Sequence, residues 1–305
     1  MHTLSRIRVF VEVAKRKSFV AAGKALGITG PAASKQVMLL EDELGAKLLH
    51  RTTRVVTLTD EGAVYYERAR VAIEELQDAA DALRDVKSIP KGMLKISAPL
   101  SFGHQHLLPT FSGFAVKYPE IQMDVVLEDR AVDVVAEGFD IVIRIGVMKD
   151  SSLTMKPLAE CPIVAVASPL YLKQHATIKA PNDLKVHRMI GYALAGSAVE
   201  WRYQHRKGKT GSVKTECVLR ANTAEMMLQA ALDGVGIAIL PGFTVATYLK
   251  SGKLVRVLKD YESYPRRQIV ALMPPDRHRS LKVKLFIEWL TSACKAIPME
   301  IGDVA

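Results

Sequence analysis

The chain has 305 residues, with 42 Lys and Arg against 32 Asp and Glu, a formal net charge of +10, 49% hydrophobic and 24% charged residues. These are ordinary globular values; they exclude a disordered chain, and the length implies two or three domains. Three scattered cysteines (Cys161, Cys217, Cys294) are too few for a disulfide framework or zinc cluster and fit a reducing compartment, while 6% aromatics is too sparse for a single-strand stacking surface.

The charge is unevenly placed. Residues 1–59 carry 10 Lys and Arg against 4 Asp and Glu, residues 60–92 carry 5 against 8, and residues 93–305 carry 27 against 20. A basic head, an acidic connector and a mildly basic body suggest a nucleic-acid-binding head on a differently purposed body. A solvated basic surface explains the charge equally well until motifs are considered. The longest apolar stretch, 232–243, is broken by Asp233, Gly234, Gly236 and Pro241, and the N-terminal one by Arg8, Glu12 and Lys15. The expectation is a soluble cytoplasmic protein with no membrane partner.

Leu4, Ile7, Phe10, Val11 and Ala14 recur at helical spacing, which predicts a helix over 4–16. Ser18 suits the N-cap of a second helix over 19–26, closed by Gly27. Thr29 suits the cap of a third, with Pro31 in its first turn and Gly45 at its end. Ala33, Val37, Leu40 and Leu44 form its inward stripe, and Gly30, Ser34, Lys35 and Met38 lie opposite. Two helices around a Gly turn, the second with small and basic residues outward, make a helix-turn-helix fit for a major groove. Lys47 to Leu58 reads as a two-stranded wing whose Arg51 and Arg54 can reach phosphates or the minor groove. A three-helix protein-interaction module is the competing reading.

The runs Ser18-Phe19-Val20-Ala21-Ala22, Ala25-Leu26-Gly27-Ile28-Thr29, Pro31 to Val37, Leu40 to Gly45, Leu48 to Arg54 and Leu58 to Gly62 resemble the winged helix-turn-helix signature of LysR-type transcriptional regulators. The resemblance extends over roughly residues 3–297 and implies a DNA-binding regulator. It places DNA contacts on Pro31, Ser34, Lys35 and Arg54, flanked by Thr29, Gly30 and Arg51. One position departs: Gly30 stands where relatives commonly carry a polar residue such as Gln, and glycine cannot make the bidentate bond to adenine that Gln can.

Thr59 to Val86 contains no proline, and Thr59 is a plausible cap. Gly62, Tyr66, Ala69, Ile73, Leu76, Ala80 and Leu83 alternate in steps of four and three, a seam that predicts helix pairing and hence a dimer. A core helix packed on its own domain is the alternative. The resemblance makes this the linker helix of a dimer or tetramer on imperfect inverted repeats of double-stranded DNA, with RNA polymerase as a further partner. Ser88 to Gly92 reads as a hinge.

From residue 93 the pattern alternates. Strands are expected at Leu94–Ala98, Gln122–Glu128, Asp140–Ile145, Pro162–Ala167, near Val213–Leu219 and Ile237–Leu240, and at Arg267–Met273. Helices are expected at Gly103–Lys117, Val132–Glu137 and Leu281–Ile297. This is an α/β arrangement with a largely parallel sheet. The resemblance divides it into two lobes like periplasmic solute-binding proteins: lobe one 92–161 and 268–305, lobe two 162–267. With a winged helix-turn-helix at 1–59 and a linker at 60–91, the regulatory domain is 92–305.

A ligand is then expected between the lobes, near strand ends and helix N-termini. Pro99, Ser101 and Phe102, between a strand and its helix, suit a small anionic effector. Arg144 can pair with an anion or bond lobe to lobe. Asn222 and Thr223 mark another helix N-terminus through a capping box with Glu225, where a plain cap competes with a ligand role. Trp201 and Tyr203 share a strand face and read as core. Arg202, Arg206, Lys207 and Lys209 read as an exposed hairpin. No Gly-x-Ser-x-Gly elbow or phosphate loop occurs, and Gly234-x-Gly236 is too short for a dinucleotide site. His104 and His106 do not share a helical face, and Cys161 and Cys217 read as buried thiols rather than a redox pair. The expectation is no enzyme, no metal and no cofactor. A transport solute-binding protein and a metabolic enzyme fused to a binding head are the rivals.

Overall fold

A computed structural model describes residues 2–51, 56–82, 90–147, 152–193, 198–275 and 280–297. The head opens with α1 (His2–Arg16), α2 (Phe19–Leu26) and α3 (Gly30–Leu44). Local chemistry sets these boundaries. The Ser18 hydroxyl accepts from Ala21 N at 3.2 Å and that of Thr29 from Ala32 N at 3.3 Å. Gly27 (φ 70°) and Gly45 (φ 67°) take the left-handed conformation that ends the second and third helices. Val9, Phe10, Val13, Ala22, Ala33, Val37 and Leu40 form the core between them. The inward stripe of α3 stops there: Leu44, at the helix's last position, is 43% exposed.

The wing follows as β1 (Leu49–Arg51) antiparallel to β2 (Val56–Leu58), with Leu49 opposite Leu58. Residues 52–55, including Arg54, lie outside the described residues, and nothing is described of the Arg51 side chain. Next comes α4 (Asp60–Ala82). Thr59 caps it: its hydroxyl accepts from Gly62 N at 2.8 Å and donates to Lys47 O at 2.6 Å. Gly62 is required by close approach, since a Cβ there would sit 1.9 Å from the Leu48 carbonyl oxygen. The expected seam is therefore partly internal. Gly62 backs onto the wing, Tyr66 packs edge-on against Phe10 at 6.3 Å, and Leu76 further along is 52% exposed. Leu83 and the expected helix end at Val86 lie outside the described residues, as does the start of the hinge.

The body contains β3 (Gly92–Ala98), α5 (Leu100–Phe102), a π-helical turn over Gly103–Leu107, α6 (Leu108–Lys117), β4 (Ile121–Leu127), β5 (Ile141–Gly146) and β6 (Thr154–Cys161). It continues with β7 (Ile163–Ala167), α7 (Pro169–Gln174), a 3-10 helix over Pro181–Val186, β8 (Met189–Tyr192), β9 (Ala198–His205), β10 (Thr210–Ala221), α8 (Ala224–Leu232), β11 (Ile237–Pro241), α9 (Gly242–Lys250), β12 (Val255–Arg256) and β13 (Tyr261–Ser263). Finally β14 (Arg267–Met273) and α10 (Leu281–Lys295) return to the first sheet.

Two sheets result, in the orders β4-β3-β5-β14-β6 and β12-β7-β11-β8-β10-β9-β13. Neither is largely parallel, contrary to the expectation from the α/β alternation. β3 runs parallel to β4 and β5, but β14 is antiparallel to both β5 and β6, because the chain re-enters the first sheet from the second. In the second sheet only β8 with β10 and β8 with β11 are parallel; β9 and β10 form a hairpin. The expected helix over Val132–Glu137 is a single turn instead. Asp133 Oδ1 accepts from Val135 N and Ala136 N, and Gly138 (φ 73°) ends it.

The linker helix touches the body. Arg70, 8% exposed, donates to the Gly138 carbonyl and to Glu67, each at 3.4 Å, and Lys95 Nζ lies 3.9 Å from Glu67.

Candidate functional site

Two regions carry chemistry. In the head, Thr29, Pro31 and Lys35 are exposed along the first turns of α3, and Gly30 and Ser34 are half-buried. A Cβ at Gly30 would meet Val20 Cγ2 at 3.2 Å, so the missing side chain at this position also relieves a tight helix contact.

Glu41, given no role by the sequence, fixes this face. Its side chain is 2% exposed, and Oε1 accepts from Leu48 N at 3.0 Å and Leu49 N at 3.2 Å while Lys47 Nζ donates to Oε2 at 3.2 Å. A carboxylate on α3 thus satisfies the first backbone donors of the wing. The signal is its spacing: Glu41 lies four residues after Val37, on the inward side.

In the body, a cavity of about 540 Å³ lies between the two sheets, within the range of small-molecule sites. Pro99, Ser101, Phe102 and Arg144 line it from the first sheet's side, and Trp201, Met227 and Phe243 from the second. Asn222 and Thr223 do not line it. Asn222 is exposed, and Thr223 is the N-cap of α8, accepting from Met226 N at 3.3 Å. The capping box centred on Asn222 does not form. Glu225 turns instead across the cleft: Ser101 Oγ donates to Oε2 at 2.6 Å and Gln105 Nε2 to Oε1 at 2.9 Å, while Ala224 N donates to Ser101 Oγ at 3.0 Å. Burial pushes the Glu225 carboxyl up, but these hydrogen bonds outweigh it and hold the group below the usual carboxylate range.

Asp129 makes a second bridge, accepting from Leu100 N at 3.1 Å and from the Tyr192 hydroxyl at 2.8 Å. Burial and the adjacent Asp129 charge both raise the Tyr192 pKa. Asp129 also explains why the helix begins at Leu100, three residues earlier than expected: its cap comes from a distant carboxylate.

Arg144 bonds within its own half rather than across the cleft. It donates to the Ile143 carbonyl at 2.9 Å, Ser97 Oγ at 3.1 Å and the Arg130 carbonyl at 3.4 Å. Among the described residues no carboxylate lies within ion-pair distance of it. Burial lowers its pKa, opposed by the more distant Glu128 and Asp129 charges.

Trp201 is both core and wall: it is 4% exposed, donates to Ser263 Oγ at 2.9 Å and borders the cavity. The turn between β9 and β10 exposes Arg206 and Lys207, as expected of a hairpin. His104 is exposed, and the His106 ring lies between those of Phe102 and Phe243. Cys161 and Cys294 are buried, and burial pushes their thiols up to about 12 and about 11. Cys217, expected to be buried, is only partly so. In native protein at pH 8, a thiol reagent should therefore modify Cys217 first, with the other two appearing on unfolding. A fast thiol that survives Cys217→Ser would contradict this assignment.

Among the described residues no helix is long and apolar enough to cross a membrane. Residues 4–63 match the family model for the bacterial regulatory helix-turn-helix protein of the lysR family, and residues 87–295 that for the LysR substrate binding domain. The chain is 35% identical over 300 residues to the HTH-type transcriptional regulator PtxR of Pseudomonas aeruginosa, covering 98% of this chain and 96% of that protein. It is also 35% identical over 288 residues to DmlR of Escherichia coli, covering 94% and 93%. Among solved structures, CrgA of Neisseria meningitidis, a LysR-type transcriptional regulator, matches with a TM-score of 0.60 at 29% identity over 95% of this chain and 98% of that one. The full-length virulence activator AphB of Vibrio cholerae matches with a TM-score of 0.60 at 28% identity, covering 95% and 98%.

Proposed function

Because the chain belongs to the LysR family of DNA-binding transcriptional regulators, we propose that it is a cytoplasmic regulator whose cleft senses a small anionic effector. The observation that carries the effector class is Arg144: a half-buried guanidinium on the cavity wall with no carboxylate within ion-pair distance among the described residues. An anionic ligand supplies the charge it lacks, and a guanidinium fork suits a carboxylate. Pro99, Ser101 and Phe102 supply the neighbouring wall. Asn222 and Thr223 act as helix-end residues outside it.

We assign residues 1–59 to the DNA-binding head, 60–91 to the linker and 92–305 to the two-lobed regulatory domain. The bare Leu76 on α4 supports pairing of two chains through the outer part of that helix. A two-fold pair of heads reads an imperfect inverted repeat of double-stranded DNA. Thr29, Pro31, Ser34 and Lys35 enter the groove, with Arg51 and Arg54 on the wing. Effector binding acts by preferring one degree of cleft closure over another, which changes how the heads are spaced.

Genomic footprinting with the purified protein tests it: a few protected sites with dyad symmetry are expected, and none at moderate salt would refute it. Replacing Lys35 or Arg54 with alanine should weaken binding and flatten the dependence of log K on log salt by about 0.9 for each phosphate no longer neutralised. Anisotropy titrations across salt concentrations read this directly, and an unchanged slope removes that residue from the interface.

A further inference from the structure

Ser101 has one hydroxyl proton, and that proton is given to Glu225. The Gln105 amide donates to the other oxygen of the same carboxylate. The Ser101 hydroxyl, which suits this position to an anion, is thus already held by a chain carboxylate, and the Gln105 amide with it. The neighbouring donor, Leu100 N, is held by Asp129. Glu225 sits in the first turn of α8 and cannot diffuse away, so a free anion must compete at Ser101 with a tethered one. A second carboxylate placed beside it meets like-charge repulsion.

We propose that Glu225 is a specificity-determining residue: it is the resident anion at Ser101 and Gln105, and it reserves that end of the cleft for an uncharged part of the effector. This rests on the reading of the cleft as an anionic-effector site. It leaves Arg144 as the receiver of the charged end, with the partly exposed Ile145 and Ile239 of the cavity wall available to an apolar body. The favoured class is an amphipathic monocarboxylate; a dianion with a second charge at Ser101 is disfavoured.

Acetate is the probe. Full-length protein is unfolded thermally while acetate replaces chloride at constant ionic strength. Glu225→Ala vacates a carboxylate-sized position, so its unfolding temperature should fall and then rise saturably with acetate. Wild type and Glu225→Ala/Ser101→Ala share whatever acetate binding Arg144 provides and should lack the additional, Ser101-dependent rise. If the alanine variant does not fold, Glu225→Ser repeats the test with a short polar side chain. An equal Ser101-dependent rise in wild type overturns the proposal, as does an acetate-insensitive Glu225 variant. Neither outcome bears on whether a carboxylate ligand binds through Arg144, so the effector reading stands or falls separately.

Discussion

Replacing Glu41 with alanine is expected to unfold the head while leaving the body folded. The substitution strands two backbone donors, Leu48 N and Leu49 N, in a core where Glu41 itself is almost wholly buried. Each unsatisfied buried donor costs about 1–3 kcal/mol, so the loss approaches 3–5 kcal/mol, a large share of what a small domain has. Glu41→Gln keeps an acceptor in place and should cost about half as much or less. The molecule provides two probes for this. Its two tryptophans, Trp201 and Trp289, both lie in the body, so tryptophan fluorescence reports that part alone, whereas far-UV circular dichroism also includes the head helices. In urea, Glu41→Ala should split off an early dichroism transition and leave the fluorescence midpoint in place. Coincident, unshifted transitions would show that the carboxylate contributes little.

The second large effect is expected at Arg144. Hydrogen bonds between charged groups contribute about 1.5–3 kcal/mol, so Arg144→Met should weaken binding of a carboxylate effector roughly 10- to 150-fold. Arg144→Lys keeps the charge but not the fork and should fall between. DNA affinity without effector should not change, since Arg144 bonds only to Ser97 and to the Ile143 and Arg130 carbonyls. A panel of small carboxylates screened by thermal shift, followed by titration of the best binder, measures this. Equal affinity for wild type and Arg144→Met would remove the guanidinium from the site.

What is legible in the sequence is what is decided nearby. Ser18, Gly27, Thr29 and Gly45 fix both ends of two helices through partners within a turn, and the structure places all four as expected. The strand Arg267–Met273 is also legible, but its direction is not, because orientation depends on where the chain has been before it arrives. β6 escapes a sequence reading because it is an edge strand carrying Pro157, with mostly exposed or half-exposed residues and little alternation. In the cleft, Pro99, Ser101, Phe102 and Arg144 stand out from the sequence and do come together. Asp129 and Glu225 do not, although Glu225 is visible there as a capping partner. The hydrogen bond that redirects it spans 124 positions, and no local spacing encodes that.

The seat of Arg70 and Glu67 on Gly138 and Lys95 sets a mechanical ratio. The anchor lies about ten residues along α4 from the head, a lever arm of roughly 15 Å. A tilt of about 10° at that fulcrum displaces the head end by only ~2.6 Å, less than the roughly 3.4 Å that one nucleotide advances along the DNA axis. The arm toward Ala82 is of similar length, so motion is passed on with little gain. With arms in a ratio near one, neither force nor travel is amplified, and the small displacement suits straining or releasing a contact already made on DNA better than carrying a head from one site to another.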